Sequence, residues 1–232
     1  MTLLTIVQSV ADETQLFESP QTVISNSNKE AKQALSFVKK VCLELLEMHD
    51  WQVLTKEQIF TTDGSGSYAF DTIVTDGDYE RPNTATEWDR TNERKIQIVD
   101  DAEWQELKSG IVTPTGIYRY ARARGGNLIM IPDASGDELV FEYVSNFYAK
   151  SSAGVAKATF TADDDTSYFK ENLLELGLKY YLKSEYGLPA QEDADRYYTS
   201  AELLIAQEKP QKVIRPRRAT FTVNVPDTGV GL

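Results

Sequence analysis

The hydrophobic period of this chain changes twice, and that limits its folds more than any other feature. Between 28 and 49, Ala31, Leu35, Val38, Cys42 and Leu45 recur at steps of three and four. That is the repeat of one helix face, and Lys29, Lys32, Lys39, Glu44 and Glu47 fall largely off it. Leu3, Ile6, Val7 and Val10 predict a shorter helix over 2–12, and Asn26 or Asn28 supplies an N-cap for the long one. After Trp51 the pattern becomes short runs rich in Val, Ile, Thr, Tyr and Phe, at 51–62, 67–75, 94–99, 116–123, 127–132, 138–147 and 155–161. Turn-forming clusters such as Asp63-Gly64-Ser65-Gly66 and Gly125-Gly126-Asn127 separate them. The connections are too short for parallel crossovers, which predicts an antiparallel sandwich or barrel, interrupted by a helical turn at 100–110 capped by Asp100 or Asp101.

From Asp163 the helical period returns. Asp163, Asp164 and Asp165 precede a segment in which Phe169, Leu173, Leu176 and Tyr180 share a face, so the triplet is expected to favour that helix N-terminus through the dipole. Gly187 and Pro189 end this helix, and Ala194, Tyr197, Ala201 and Leu204 mark a second over about 190–208. The expected class is α+β: a helical bundle built from N- and C-terminal helices, with an inserted antiparallel β-domain and an extended C-terminal arm. The expected divisions are 1–50 and 163–209 for the bundle, 51–162 for the β-domain and 210–232 for the arm.

Charge separates the arm from the body. Residues 1–208 hold 19 Lys and Arg against 35 Asp and Glu, a net of −16; residues 209–232 hold five basic residues against Asp227, a net of +4. An acidic body repels nucleic acid, whereas RPRRATFTVNVP (215–226) does not. No apolar run reaches the roughly 20 residues of a membrane helix. The start has neither a basic n-region nor a cleavage site, so a product of the cytoplasm is expected.

Catalytic signatures are sparse. His49 is the only histidine, which excludes a multi-histidine metal site, and its place at a helix end beside Asp50 and Trp51 suits the negative end of the dipole better than a triad. The single Cys42 lies in a helical pattern and is expected to be a buried structural thiol. GSGS (64–67) leads into a strand pattern, which predicts a hairpin turn and not a phosphate loop. Arg119, Arg122 and Arg124, interleaved with Tyr118 and Tyr120, resemble a nucleic-acid platform, but in so acidic a chain they are expected to meet carboxylates. No enzyme activity, cofactor or metal is expected.

WDRTN (88–92), EWQELKSG (103–110), the opening MTLLTIVQSVADETQL, HDWQVLT (49–55) and LIMIPDASGDELVFEYVSNFYAKSSAG (128–154) occur in an order that is similar to the head-to-tail adaptors of tailed phages, the group called tail tubular protein A or head-completion adaptors in short-tailed phages. The resemblance covers most of residues 1–208. It implies a structural virion protein at the head–tail junction, made in the host cytoplasm, that forms a ring, commonly dodecameric, between the portal protein and a tail nozzle or tail tube, with DNA passing through the centre. Excess negative charge suits such a lumen, because fixed basic contacts to phosphate would brake DNA. Tyr180, Tyr181, Tyr197 and Tyr198 are expected to divide between core and subunit contacts, and Trp88, Asp89 and Arg90 to form a subunit contact or a local latch. The arm alternates Thr220, Thr222 and Asn224 with Phe221, Val223 and Val225. With Lys212, Val213, Ile214, Arg215, Arg217 and Arg218 it is expected to dock on the portal by strand addition, disordered before docking and ordered after it. The alternative from another class is a nucleic-acid-binding accessory protein with a basic C-terminal arm.

Overall fold

Helices enclose one core and strands another, and a single strand feeds both. The structure, a computed structural model, describes residues 1–109 and 118–208. The order is α1 (Leu3–Thr14), α2 (Lys29–Met48), β1 (Thr55–Thr61), β2 (Ser67–Ala69), a helical turn α3 (Phe70–Ile73), β3 (Tyr79–Asp89), β4 (Arg94–Lys95), β5 (Gln97–Ile98), α4 (Asp101–Ser109), β6 (Tyr120–Arg124), β7 (Asn127–Ile131), β8 (Glu138–Ser145), β9 (Ala149–Lys150), β10 (Ala156–Lys157), β11 (Thr166–Ser167), α5 (Glu171–Glu185) and α6 (Gln191–Glu208). The fold is α+β, with N- and C-terminal helices flanking the strands.

The helical core joins Ile6, Val7 and Val10 of α1, Val38, Val41 and Leu45 of α2, Leu174, Leu178 and Leu182 of α5, and Tyr197 and Ala201 of α6. Each large side chain buried here contributes about 1.5–3 kcal/mol against the entropy of ordering it. Asn28 is the N-cap of α2, its side chain accepting from the Glu30 amide, and Asn26 in turn accepts from the Asn28 amide. Asp100 caps α4 by accepting from the Ala102 and Glu103 amides. Gly187 adopts φ +66° just past α5, where its amide bonds the Ser184 carbonyl and the Leu188 amide bonds the Lys183 carbonyl. Cys42 is fully buried, and burial pushes its thiol up.

Two four-stranded sheets, ordered β1-β8-β3-β4 and β2-β7-β6-β5, pack face to face around Tyr68, Phe70, Leu128, Met130, Leu139, Phe141 and Tyr143. Alternation sends Leu139, Phe141 and Tyr143 of β8 into this core, while Val144, on the opposite face, belongs to the helical core. A small sheet, β10-β9-β11, lies beside the helices, with Ala149 and Tyr148 in their core.

Several expectations are corrected. The acidic triplet does not cap α5, whose N-cap is Lys170 with no side-chain bond. It serves the other end of the chain instead: the backbone carbonyls of Asp163 and Asp165 accept from the Leu4 and Leu3 amides at the start of α1, and Asp163 Oδ1 accepts from the Val23 and Ile24 amides at 2.9 and 2.8 Å. Buried Asp165 closes its own loop on the Thr161 and Ala162 amides and Lys157. GSGS is a corner and not a hairpin turn, because β1 and β2 belong to different sheets. The Gly66 amide donates to Asp133, which also takes the Tyr68 hydroxyl. One pairing is parallel: β5 and β6 match Gln97 with Tyr120, because α4 supplies a crossover. The 67–75 run turns helical at Phe70, and β3 is a strand not anticipated at all. The α5 face is rotated from that expected: Leu173, Leu174, Gly177, Leu178 and Leu182 are buried, and Phe169 precedes the helix.

Gly177 is a tight point of the bundle. A Cβ there would stand 2.7 and 2.8 Å from the Val41 methyls and 3.2 Å from the Tyr197 ring. Alanine normally stabilises a helix over glycine by about 1 kcal/mol. Here the overpacking wins, and Gly177→Ala is expected to destabilise by about 1–3 kcal/mol, measured as a lower urea midpoint.

Candidate interaction surfaces

Two helices bring their tyrosines to one carboxylate on a third. Glu44 lies on α2 just beside the buried stripe, and α5 and α6 form an antiparallel pair against it. Tyr181 donates to Glu44 Oε2 at 2.9 Å, Tyr198 donates to Oε1 at 3.1 Å, and the Tyr197 hydroxyl stands 3.5 Å from Oε2. Tyr181 stacks on Phe37 at 5.7 Å and carries the Lys40 ammonium over its other surroundings at 4.1 Å from the ring centre. Tyr180 packs against Tyr181 and Tyr198. Of the four tyrosines singled out from sequence, Tyr197 is fully buried and belongs to the core, Tyr180 and Tyr181 are half-buried, and Tyr198 is 38% exposed. Burial and then the Glu44 charge push the Tyr181, Tyr197 and Tyr198 phenols up, Tyr198 to about 12. The result is an aromatic surface in which the Tyr181 and Tyr198 hydroxyls are satisfied by Glu44, the chemistry enriched in protein interfaces.

The WDRTN segment divides its residues between fold and surface. Asp89 is buried; its carboxylate takes the Asn92 amide at 2.9 Å and side chain at 3.0 Å, fixing the β3–β4 turn, and sits 3.2 Å from Arg119 Nη1. Arg119 also pairs with Asp137, so this guanidinium ties β3, the start of β6 and the loop before β8. Arg122 pairs with Asp101, and Arg124 is exposed. Arg90 reaches Glu57 of β1 at 2.6 Å on the outer sheet face. Trp88 points outward from the same face and is 44% exposed. Asp89 and Arg90 are therefore latches within the chain, and Trp88 is the exposed member of the trio. Register places Ile59 of β1, Val140 of β8 and Trp88 of β3 in one row. Ile59 is 41% exposed, so the row forms an apolar stripe on a face that ordinarily meets water.

A third polar centre is Asp78, fully buried. It accepts from Tyr143 at 2.8 Å, Ser145 at 2.6 Å and Lys56 at 2.5 Å. Burial alone would raise this carboxyl, but Lys56, Ser145 and Tyr143 together hold it below the usual carboxylate range. Where α2 ends and β1 begins, an open cleft of about 620 Å³ is lined by His49, Asp50, Glu142 and Glu208 among others. His49 caps α2 and lies 3.7 Å from Glu208. Among the described residues no group of three or more His, Cys, Asp and Glu is placed to hold a metal ion, and no helix is long and apolar enough to cross a membrane.

Sequence reasoning missed Glu44, Asp78 and Ile59. Glu44 adjoins Leu45 of the α2 stripe as Glu30 adjoins Ala31, so nothing in the sequence set it apart. Asp78, in a turn-like Asp-Gly-Asp stretch, carried no signal either. The arm residues Lys212, Val213, Ile214, Arg215, Arg217, Arg218, Phe221, Val223 and Val225 lie outside the described residues.

Because the folded state keeps the Tyr181, Tyr197 and Tyr198 protons beyond the ordinary value of about 10, their contribution to stability is complete below that pH and is lost as pH rises through the raised values. Glu44→Gln should move the Tyr198 titration from about 12 toward 10, followed by tyrosinate absorbance. The sign reverses at Asp78, whose depressed value stabilises above the ordinary carboxylate pH of about 3.9 and whose contribution is lost as pH falls through the folded-state value. Asp78→Ala strands three donors and is expected to cost about 2–4 kcal/mol, seen in denaturant unfolding at pH 7 and shrinking at low pH. No protein-family model matches this chain, and no curated protein matches it.

Proposed function

We propose that the protein is a structural virion component, a head-to-tail adaptor that assembles as a ring between portal and tail nozzle or tube and lets DNA pass. The observation that carries this reading is the Glu44 tyrosine surface, a preorganised aromatic patch built on three helices and partly open to solvent. A cyclic ring needs such a patch on each subunit to meet a different surface of the next copy. Leu43 beside Glu44 and Leu203 on α6, 49% and 59% exposed, add apolar area to the bundle exterior. The exposed Trp88 row offers a second surface on the sheet, which suits a protein that must join unlike neighbours. The acidic body, net −16 over residues 1–208, supports passage of DNA without retention. The arm at 210–232 supplies the attachment to the portal, its arginines pairing with portal carboxylates.

The reading is tested by negative-stain imaging of the protein alone and with its portal. Closed rings bound to portal are expected. Tyr180→Ala with Tyr198→Ala should reduce ring formation while leaving the monomer folded, because neither ring is fully buried. Removal of 210–232 should leave helix content unchanged and abolish portal attachment. Monomers indifferent to portal would overturn the proposal. Salt-dependent duplex binding that disappears with the arm would instead favour the nucleic-acid accessory role.

A further inference from the structure

The edge of β1 is the longest regular strand edge that the described residues leave open. Thr62 donates to Asp137 at 2.9 Å, extending the β1–β8 ladder by one residue, and Arg90 donates to Glu138 at 2.9 Å on the other side of β8. In an antiparallel ladder alternate residues bond to the same neighbour. The even-numbered residues of β1 therefore bond β8, and Thr55, Glu57, Ile59 and Thr61 turn their N–H and C=O groups to the open side. The Ile59 carbonyl is met by the Gln58 side chain at 2.9 Å and the Thr55 N–H closes on the Gln52 carbonyl; the remaining outward groups, on Glu57, Ile59 and Thr61, have no backbone partner among the described residues. The free side of β3 is broken by a bulge and contains Pro82, and β2, β4, β5, β10 and β11 span only two or three residues each.

We infer that residues 219–225 of the same chain add to this edge as a further strand. Four observations converge on that occupant. First, α6 ends against the foot of β1: Glu208 Oε2 accepts from the Gln52 amide and the Glu208 carbonyl from the Gln52 side chain, both at 3.1 Å. The chain after Glu208 thus begins three residues before Thr55. Second, the ten residues 209–218 reach about 33 Å at full extension, more than the roughly 24 Å length of β1, so the strand is reachable in either direction. Third, Phe221, Val223 and Val225 alternate with polar residues, which gives one apolar face to lie beside exposed Ile59 and continue the Ile59–Val140–Trp88 row. Fourth, the charges are complementary. The cleft at the foot of β1 presents Asp50, Glu142 and Glu208, of which Glu142 and Glu208 meet only amide donors and His49. Lys209, Lys212, Arg215, Arg217 and Arg218 come next in the chain. Tethering favours the chain's own arm over a second copy, because a short linker holds it at an effective concentration on the order of millimolar.

The inference does not depend on the adaptor reading. It replaces a free arm with a seated one, for which a portal would have to compete. It is tested on the full chain by residue-resolved amide exchange, comparing the native protein with the double variant Thr222→Pro and Val223→Pro, which removes one ladder donor of each parity from the arm. The amides of Glu57, Ile59 and Thr61 are expected to exchange at least about tenfold more slowly in the native chain, at every protein concentration. Acrylamide should likewise quench Trp88 less in the native chain, Trp51 and Trp104 being buried in both. Equal exchange in the two proteins overturns the inference. Protection that rises with protein concentration also overturns it, by assigning the edge to the arm of a second copy.

Discussion

The Asp78 carboxylate is the contact that holds β1 and β8 together at the end of the sandwich nearest the helices. One buried anion collects Lys56 from β1 and Tyr143 and Ser145 from β8, while its own backbone carbonyl takes the Asn146 amide. These partners lie where β8 passes from the sandwich to the helical core, with Tyr143 in one and Val144 in the other. A buried carboxylate is tolerated only when its charge and lone pairs are answered, and here two hydroxyls and an ammonium answer them.

The same economy of polar contacts recurs at Glu44 and Arg119. Each is one charged group shared by elements far apart in sequence: Glu44 by α2, α5 and α6, Arg119 by β3 and the loop before β8. Shared charges of this kind specify geometry more than they add net stability. They leave the aromatic and apolar groups around them, Tyr198 and Trp88, held in place and open to a partner. A surface ordered in advance loses less entropy on association than one that must order itself.

What was legible in the sequence was periodic. Helices α1 and α2 appear within two residues of the expected spans, and most strands appear because Val, Ile, Tyr and Phe alternate between turn clusters. What escaped was set by tertiary context. YERPNTATEWD does not read as a strand, yet β3 forms because β8 needs a second partner, and Thr86 bridges its irregularity by donating to the Asn83 carbonyl and accepting from Glu142. The acidic triplet invited a general dipole argument for the following helix, whereas specific backbone geometry put it on α1, some 160 residues earlier. The tyrosine pairs of the candidate surface were visible as composition. Glu44, which organises them, was not, because its partners lie 137 and 154 residues away.

The bridging of the chain's two ends by Asp163 has a consequence for biosynthesis. Its side chain holds Val23 and Ile24 across 140 and 139 residues, and α2 cannot be covered until α5 exists. All ladders of the two larger sheets, by contrast, lie between Thr55 and Ser145. As the chain leaves a ribosome at about 5–20 residues per second, α1 and α2 wait on the order of ten seconds with their apolar faces bare while the strands pair. The nascent protein is thus most exposed to mispairing and to chaperones over α1 and α2, and the emergence of α5 and α6 ends that exposure.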